Sequence, residues 1–165
     1  MNPLLSRLQP YPFERLRQLF EGVAPNPALR PISLGIGEPK HATPRFIQDA
    51  LAGDLATGLA SYPPTAGSPA LRTACADWLQ RRYGVAVDPS TQVLPVLGSR
   101  EALFALAQTV VDRARPGATV VCPNPFYQIY EGATVLAGAA PHFVPVDPAR
   151  NFAPRWAEVP KAVWA

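Results

Sequence analysis

The second half of the sequence alternates apolar runs with helix-forming segments, and this alternation constrains the fold more than any other feature. The pattern predicts strands over residues 91–96, 118–122 and 141–146, and helices over residues 99–112 and 125–136. Such alternation is typical of parallel strands joined by crossover helices. Residues 93–97 are apolar without interruption, as in strands covered on both faces. We therefore expect an α/β fold with a mostly parallel sheet.

Proline marks the starts of elements in the first half. The 165 residues include 21 prolines, well above the usual share of about 5%. Thr43 and Ser68 each precede a proline, which suits a capping side chain followed by the first helical position. The segments predicted here are helices over residues 11–20, 43–53 and 68–83 and a strand-like run over residues 32–37.

Composition narrows the possible partners and the location. Arginines scattered along the chain give a net charge of +3 without basic runs, so we expect no nucleic-acid partner. No stretch reaches the roughly 20 apolar residues of a membrane span, and no signal-peptide pattern is found, which predicts a cytoplasmic protein. Cys75 and Cys122 are too widely separated for a redox pair and are expected to pack as small apolar residues.

The turn after the first predicted strand is a candidate anion site. Gly98, Ser99 and Arg100 stand where ligands bind in open α/β sheets, beyond the carboxyl end of a strand. Glycine allows a tight turn, and the next amides open a helix whose dipole favours an anion such as phosphate. The alternative is that Ser99 only caps the helix.

A candidate aromatic contact follows the second predicted strand. Tyr127 is expected one turn into the helix that begins near Pro125. Its ring could lie flat against a planar group held by the neighbouring anion site, or it could be a core side chain.

Other motifs that could indicate function are incomplete. Residues 53–58 have the glycine spacing of a P-loop, but Leu and Ala follow where Lys and Ser or Thr are needed. Residues 35–37 match only the start of a dinucleotide-binding loop, because the third glycine is absent. His41 and His142 are isolated, so no metal site is predicted.

Four segments together resemble a known enzyme family. They are residues 32–39 (ISLGIGEP), 62–72 (YPPTAGSPALR), 98–102 (GSREA) and 123–127 (PNPFY). Each segment alone is a weak signal, but the four in this order resemble the fold type I, pyridoxal-phosphate-dependent class I/II aminotransferases. The resemblance covers nearly the whole sequence and only the first part of the family's length.

The resemblance implies a fold and its domains. The fold would be the first part of the three-layer α/β/α, aspartate-aminotransferase-like fold. Residues 1–42 would form an N-terminal arm and part of a small domain, and residues 43–165 the first part of the large cofactor-binding domain.

The resemblance also implies a cofactor, pyridoxal 5′-phosphate, and the residues that bind it. By analogy, backbone amides at Gly98, Ser99 and Arg100 would hold the cofactor phosphate, and Tyr127 would stack on the ring. The analogy assigns no role to the Arg100 side chain, because some family members have a small or hydroxyl residue there.

Two further residues are implied to serve the site. Tyr62 would reach the phosphate of the partner subunit's cofactor, so the enzyme would be a homodimer. Gly37 would line the pocket for the carboxylate of the amino-acid or oxo-acid substrate.

The opening residues 8–16 and the run 122–131 resemble N-succinyldiaminopimelate aminotransferases of lysine biosynthesis more specifically. This implies amino-group transfer between glutamate and N-succinyl-2-amino-6-oxoheptanedioate. The family's Schiff-base lysine would lie beyond Ala165, since Lys161 lacks its serine-rich context. We therefore expect no catalytic residue in this chain and no transaminase activity from residues 1–165 alone.

The sequence also allows two other interpretations of function. One is a non-enzymatic α/β remnant that binds a phosphorylated small molecule or a partner protein. A dehydrogenase is the weaker alternative, because no complete glycine fingerprint follows a strand.

Overall fold

The computed structural model describes residues 1–164, which form two compact units. One unit combines Met1–Gly22 with the chain from Val96 onward, and the other is Val23–Pro95. This division differs from the expected one at residue 42, which refers to the domains of a complete family member and stays a prediction.

Helices outnumber strands within residues 1–164. In order, the elements are α1 (Pro12–Leu19), α2 (Arg45–Gly58), α3 (Pro69–Tyr83), α4 (Ser99–Val110), β1 (Thr119–Asn124), α5 (Ile129–Leu136), β2 (Ala140–Asp147), β3 (Ala153–Pro154) and α6 (Lys161–Trp164). Short 3-10 helices cover Pro3–Arg7, Pro148–Arg150 and Trp156–Glu158. Within residues 1–164, no helix is both long enough and apolar enough to cross a membrane.

The sheet of the first unit is small and mixed. Strands β1 and β2 are parallel, in a register that runs from Thr119 opposite Ala140 to Asn124 opposite Pro145. Strand β3 pairs antiparallel with the end of β2, where Val146 lies opposite Pro154. The α/β class and the predicted parallel strand–helix–strand unit around α5 are therefore confirmed.

The core of the first unit lies where α5 packs on this sheet. Ala133 and Val135 of α5 are buried, as are Cys122 of β1 and Val144 of β2. Thr134 is also buried, and its hydroxyl donates to the carbonyl oxygen of Tyr130 across 2.7 Å, so burial leaves this polar group satisfied. Burial raises the pKa of the Cys122 thiol, which fits the predicted role of a small apolar residue.

The second unit confirms the predicted bounds of α3. Ser68 is the N-cap, and its hydroxyl accepts a hydrogen bond from the backbone N–H of Leu71 at 3.2 Å. Pro69 follows at the first helical position, and Gly84 ends the helix with a φ of +69°. That left-handed conformation suits glycine at the end of a helix.

The predicted bounds of α2 were wrong at both ends. Pro44, not Thr43, is the N-cap, and no side chain caps the helix. The helix continues through Gly53 to Gly58, because an interior glycine costs only about 1 kcal/mol and does not by itself end a helix.

Two predicted strands are absent from the described residues. Residues 91–96 and 32–37 have no strand pairing in residues 1–164. A strand needs a neighbour for its backbone hydrogen bonds, and these segments have none here. Leu94 is 68% exposed and Leu97 is 97% exposed, so the expected cover on both faces of this segment is also wrong.

Candidate functional site

Helix α4 begins at a glycine with an unusual backbone conformation. Gly98 is the N-cap, with φ +113° and ψ 150°, a region that side chains rarely adopt. The N–H of Ala102 donates to the carbonyl oxygen of Gly98 at 3.2 Å, which closes the first helical turn. Ser99 is therefore the first helical residue, and the alternative that its side chain caps the helix is wrong.

The start of α4 can accept an anion. No side chain caps this helix, so the amides of its first turn are available to an external acceptor. The helix dipole and the guanidinium of Arg100, the second helical residue, both favour negative charge. The carboxylate of Glu101 already lies close, with Oε2 3.0 Å from the position of a Cβ on Gly98. Since Glu101 is exposed, this carboxylate can turn toward solvent when another anion binds.

Tyr127 lies in the loop before α5, not within the helix as predicted. Strand β1 runs to Asn124 and α5 begins at Ile129, so residues 125–128 are used to turn the chain. The Tyr127 side chain is 38% exposed, and its ring meets Tyr130 edge-on with centroids 6.0 Å apart. The ring is thus partly free to contact a ligand.

The structure brings Arg100 and Tyr127 together. Nε of Arg100 donates a hydrogen bond to the phenolic oxygen of Tyr127 across 3.2 Å. This contact joins the start of α4 to the loop after β1, the two segments to which the sequence assigned the cofactor phosphate and ring. The hydrogen bond to Tyr127 is also the main reason why the pKa of Arg100 is raised.

Sequence reasoning missed two residues beside this pair. The phenol of Tyr11 lies near the side chains of Gln128 and Arg100, and these side chains lower its pKa, with Gln128 the larger cause. Tyr11 belongs to the opening segment that carried the family resemblance, and Gln128 directly follows Tyr127. Both residues thus lie in or next to segments that indicated the family, but no pattern in the sequence predicts that Tyr11 and Gln128 lie close together.

The remaining predicted site residues lie in the other unit. Tyr62 is 99% exposed, and Gly37 lies in an irregular segment where an added Cβ would meet nothing within 4 Å. Their proposed roles toward a partner's cofactor and a substrate carboxylate stay predictions.

Both lysines are at the surface. Lys40 is paired with Glu38, its Nζ 3.5 Å from Oε2, and its side chain is 84% exposed. Lys161 is exposed at the start of α6. Neither ammonium group occupies the desolvated position that activates a lysine as a nucleophile.

A comparison with known protein families shows which family this chain is related to. Residues 30–163 match the family model described as aminotransferase class I and II. The chain belongs to the class I and II aminotransferase family. Members of this family depend on pyridoxal 5′-phosphate, so the anion site at α4 acquires a specific candidate ligand.

Solved and curated aminotransferases agree with this assignment. An aminotransferase from Neisseria meningitidis superposes with a TM-score of 0.89 at 50% identity, over 99% of this chain and 42% of that one. The N-succinyldiaminopimelate aminotransferase of Mycobacterium tuberculosis gives a TM-score of 0.63 at 37% identity, over 70% of this chain and 29% of that one. A curated relative, the LL-diaminopimelate aminotransferase of Desulforudis audaxviator, is 41% identical over 94% of this chain and 39% of its own length.

Two conclusions follow from these aminotransferase relatives. The chain spans about two fifths of the length of the relatives it matches. The fold class expected from the sequence, part of the class I/II aminotransferase fold, is confirmed.

The donor groups at α4 fit the phosphate of such a cofactor. Gly98 leaves open space at the helix start apart from the movable Glu101 carboxylate, and the first-turn amides have no side-chain cap. Tyr127 adds a partly exposed ring, whose hydroxyl is held by Arg100. Backbone donors, a cation and an aromatic face suit a phosphorylated aromatic ring.

Proposed function

We propose that this chain carries the phosphate-binding and ring-contacting part of a pyridoxal-phosphate-dependent aminotransferase. The observation that carries the proposal is the hydrogen bond between Arg100 and Tyr127, which places an aromatic ring beside the uncapped start of α4. A phosphate at that helix start would leave an attached ring within reach of Tyr127.

The residues of this chain bind and orient rather than transfer protons. Backbone N–H groups at Ser99 and Arg100 would hold the phosphate oxygens, and the Arg100 charge adds attraction for a dianion. Tyr127 would fix the plane of the cofactor ring, which sets the direction of the substrate bond that breaks. When bound, the cofactor supplies an electron sink for that bond. The proton-transferring lysine would come from a part of the protein outside these residues.

We propose a diaminopimelate-type compound as the substrate, with glutamate as the amino-group partner. The resemblance of the sequence favours N-succinyl-2-amino-6-oxoheptanedioate. The curated relative from Desulforudis audaxviator is instead named for LL-diaminopimelate, without the succinyl group. Compared as amino donors, the free and the N-succinylated diaminopimelates share the distal carboxylate and differ in the succinyl group on the far nitrogen.

The active enzyme is proposed to be a homodimer. Tyr62 exposes 99% of its surface, which leaves its hydroxyl available to a second subunit. In this arrangement Tyr62 would donate to the phosphate of the partner's cofactor, while Gly37 would border the pocket of the substrate carboxylate.

The experiment uses the intact polypeptide with pyridoxal 5′-phosphate. Glutamate formation should be followed with LL-diaminopimelate and with N-succinyl-LL-diaminopimelate as amino donors and 2-oxoglutarate as acceptor. Turnover of one donor supports the function and assigns the acyl preference. Cofactor binding without turnover of either donor would contradict the substrate assignment, and failure to bind the cofactor would favour the non-enzymatic alternative.

A further inference from the structure

Arg100 joins two segments that are distant in sequence. It is the second residue of α4, and its Nε donates to the hydroxyl of Tyr127 across 3.2 Å. The two residues are 27 positions apart in sequence. Without this bond, the only ring contact described for Tyr127 among residues 1–164 is the edge-on contact with Tyr130 at 6.0 Å.

The N-terminal arm, residues 1–22 of the first unit, brings a second phenol near the same guanidinium. Tyr11, directly before α1, lines the same cavity as Arg100 and Gln128, and the polar side chains of Gln128 and Arg100 lower its pKa. Gln128 is adjacent in sequence to Tyr127, so Tyr11 lies close to the loop that carries this ring. The pKa of Arg100 is raised first by Tyr127 and second by Tyr11, as expected for a cation beside two phenol oxygens.

The arm and this loop line the same cavity, which has a volume of about 570 Å³. Its lining includes Tyr11 and Arg15 from the arm, Arg100 from α4, and Phe126 and Gln128 from the loop after β1. The arm therefore lies beside Arg100 and the sequence neighbours of Tyr127 and is not a free terminal extension.

We propose that Arg100 and Tyr11 are positioning residues that fix the ring plane of Tyr127 for contact with the cofactor ring. The inference rests on the proposed function and extends it to side chains that act by holding Tyr127. A stacked ring contributes to binding only if its orientation is held, and a hydroxyl tether removes the rotation of a half-exposed tyrosine.

Arginine is suited to this role because of its shape. The planar guanidinium has five N–H donors and can bind two phenol oxygens at once. A lysine at position 100 keeps the charge but concentrates its donors at one atom on a flexible stem. Arg100→Lys should therefore preserve the attraction for phosphate and lose much of the tether.

The test compares variants of the intact protein in two measurements. Arg100→Met, Arg100→Lys and Tyr11→Phe would be titrated with pyridoxal 5′-phosphate, while the visible spectrum of the bound cofactor is recorded. Tyrosinate absorbance of the cofactor-free proteins would be followed against pH. Matched controls are Arg45→Met, an exposed arginine paired with Asp49, and Tyr83→Phe, an exposed tyrosine packed on Trp78.

We expect Tyr11→Phe to weaken cofactor binding about threefold and Arg100→Met about tenfold, with an altered visible spectrum in both. Arg100→Lys should retain an affinity between Arg100→Met and wild type but show the altered spectrum. In Arg100→Met the phenol of Tyr11 should titrate at higher pH, because it loses the guanidinium donor. The two control variants should match wild type.

Several outcomes would overturn the inference. If wild type binds the cofactor and both Tyr11→Phe and Arg100→Met show unchanged affinity and spectrum, the positioning role is rejected. The proposed function would still stand in that case. Equal losses in the control variants would show a general effect of substitution and also reject it. If wild type itself binds no cofactor, the proposed function fails and the inference fails with it.

Discussion

Gly67 lies directly against the ring of Pro95. A Cβ added to Gly67 would stand 2.6 Å from Cγ of Pro95, and the glycine has a φ of +81°. Both the contact and the backbone conformation therefore oppose a side chain. We expect Gly67→Ala to lower the free energy of unfolding by about 1–3 kcal/mol, measured by urea denaturation.

A matched control for this substitution is Gly53→Ala. Gly53 lies inside α2, and an added Cβ there would meet nothing within 4 Å. Alanine should stabilise this helix by about 0.5–1 kcal/mol. The steric account of Gly67 would be rejected if the two variants changed stability by the same amount in the same direction.

The N-cap of α3 provides a second prediction. Ser68→Ala removes the acceptor for the N–H of Leu71 and should cost about 1 kcal/mol. Thr43→Ala should change stability by less than about 0.5 kcal/mol, because α2 has no side-chain cap. Chemical denaturation of both variants measures the difference. Equal costs would show that Thr43 caps α2 in solution.

Asp147 provides a pH-dependent prediction. Its Oδ2 accepts from Nη2 of Arg155 at 2.6 Å, and Oδ1 accepts from the N–H of Ala149 at 2.9 Å. These two hydrogen bonds hold the pKa of the Asp147 carboxyl below its ordinary value, and the bond from Arg155 has the larger effect. The resulting stabilisation is complete above the unfolded-state pKa of about 3.9 and is lost as pH falls through the lower folded-state value.

The measurement for Asp147 is a carboxyl NMR titration together with thermal unfolding. In Arg155→Met the pKa of Asp147 should rise, so this variant should start less stable at neutral pH and lose less stability on acidification. Arg150→Met is the control, because the charge of Arg150 has the smallest effect on the pKa of Asp147. A larger pKa change in Arg150→Met than in Arg155→Met would contradict this assignment.

We expect residues 1–165 alone to show no transaminase activity. Lys40 and Lys161 are the two lysines of the sequence, and both are exposed. Purified protein should give no oxo-acid-dependent consumption of glutamate in the presence of pyridoxal 5′-phosphate. Activity that disappears in Lys161→Ala and persists in Lys40→Ala would contradict the expectation and make Lys161 the catalyst.

Local capping chemistry made α3 and the start of α4 predictable. Ser68 and Gly84 define α3 because each satisfies a requirement of its own helix end. Gly98 likewise located the start of α4. Position 127 was misplaced by this logic, because Pro125 suits a helix start but the chain uses residues 125–128 as a turn.

Contacts between distant segments could not be predicted from the sequence. The predicted strand at residues 91–96 depended on a neighbouring strand that local patterning cannot supply. The hydrogen bond from Arg100 to Tyr127, and the position of Tyr11 beside them, depend in the same way on packing between segments that are distant along the chain. Motif order indicated that residues 98–102 and 123–127 belong to one site, but the side-chain geometry came from the structure.

The most direct test is a crystal structure of the intact polypeptide with pyridoxal 5′-phosphate. The phosphate should accept hydrogen bonds from the backbone amides at Ser99 and Arg100, with the Glu101 carboxylate turned away and the pyridine ring stacked on Tyr127. A phosphate bound elsewhere, with the start of α4 in contact with solvent alone, would contradict the proposed site.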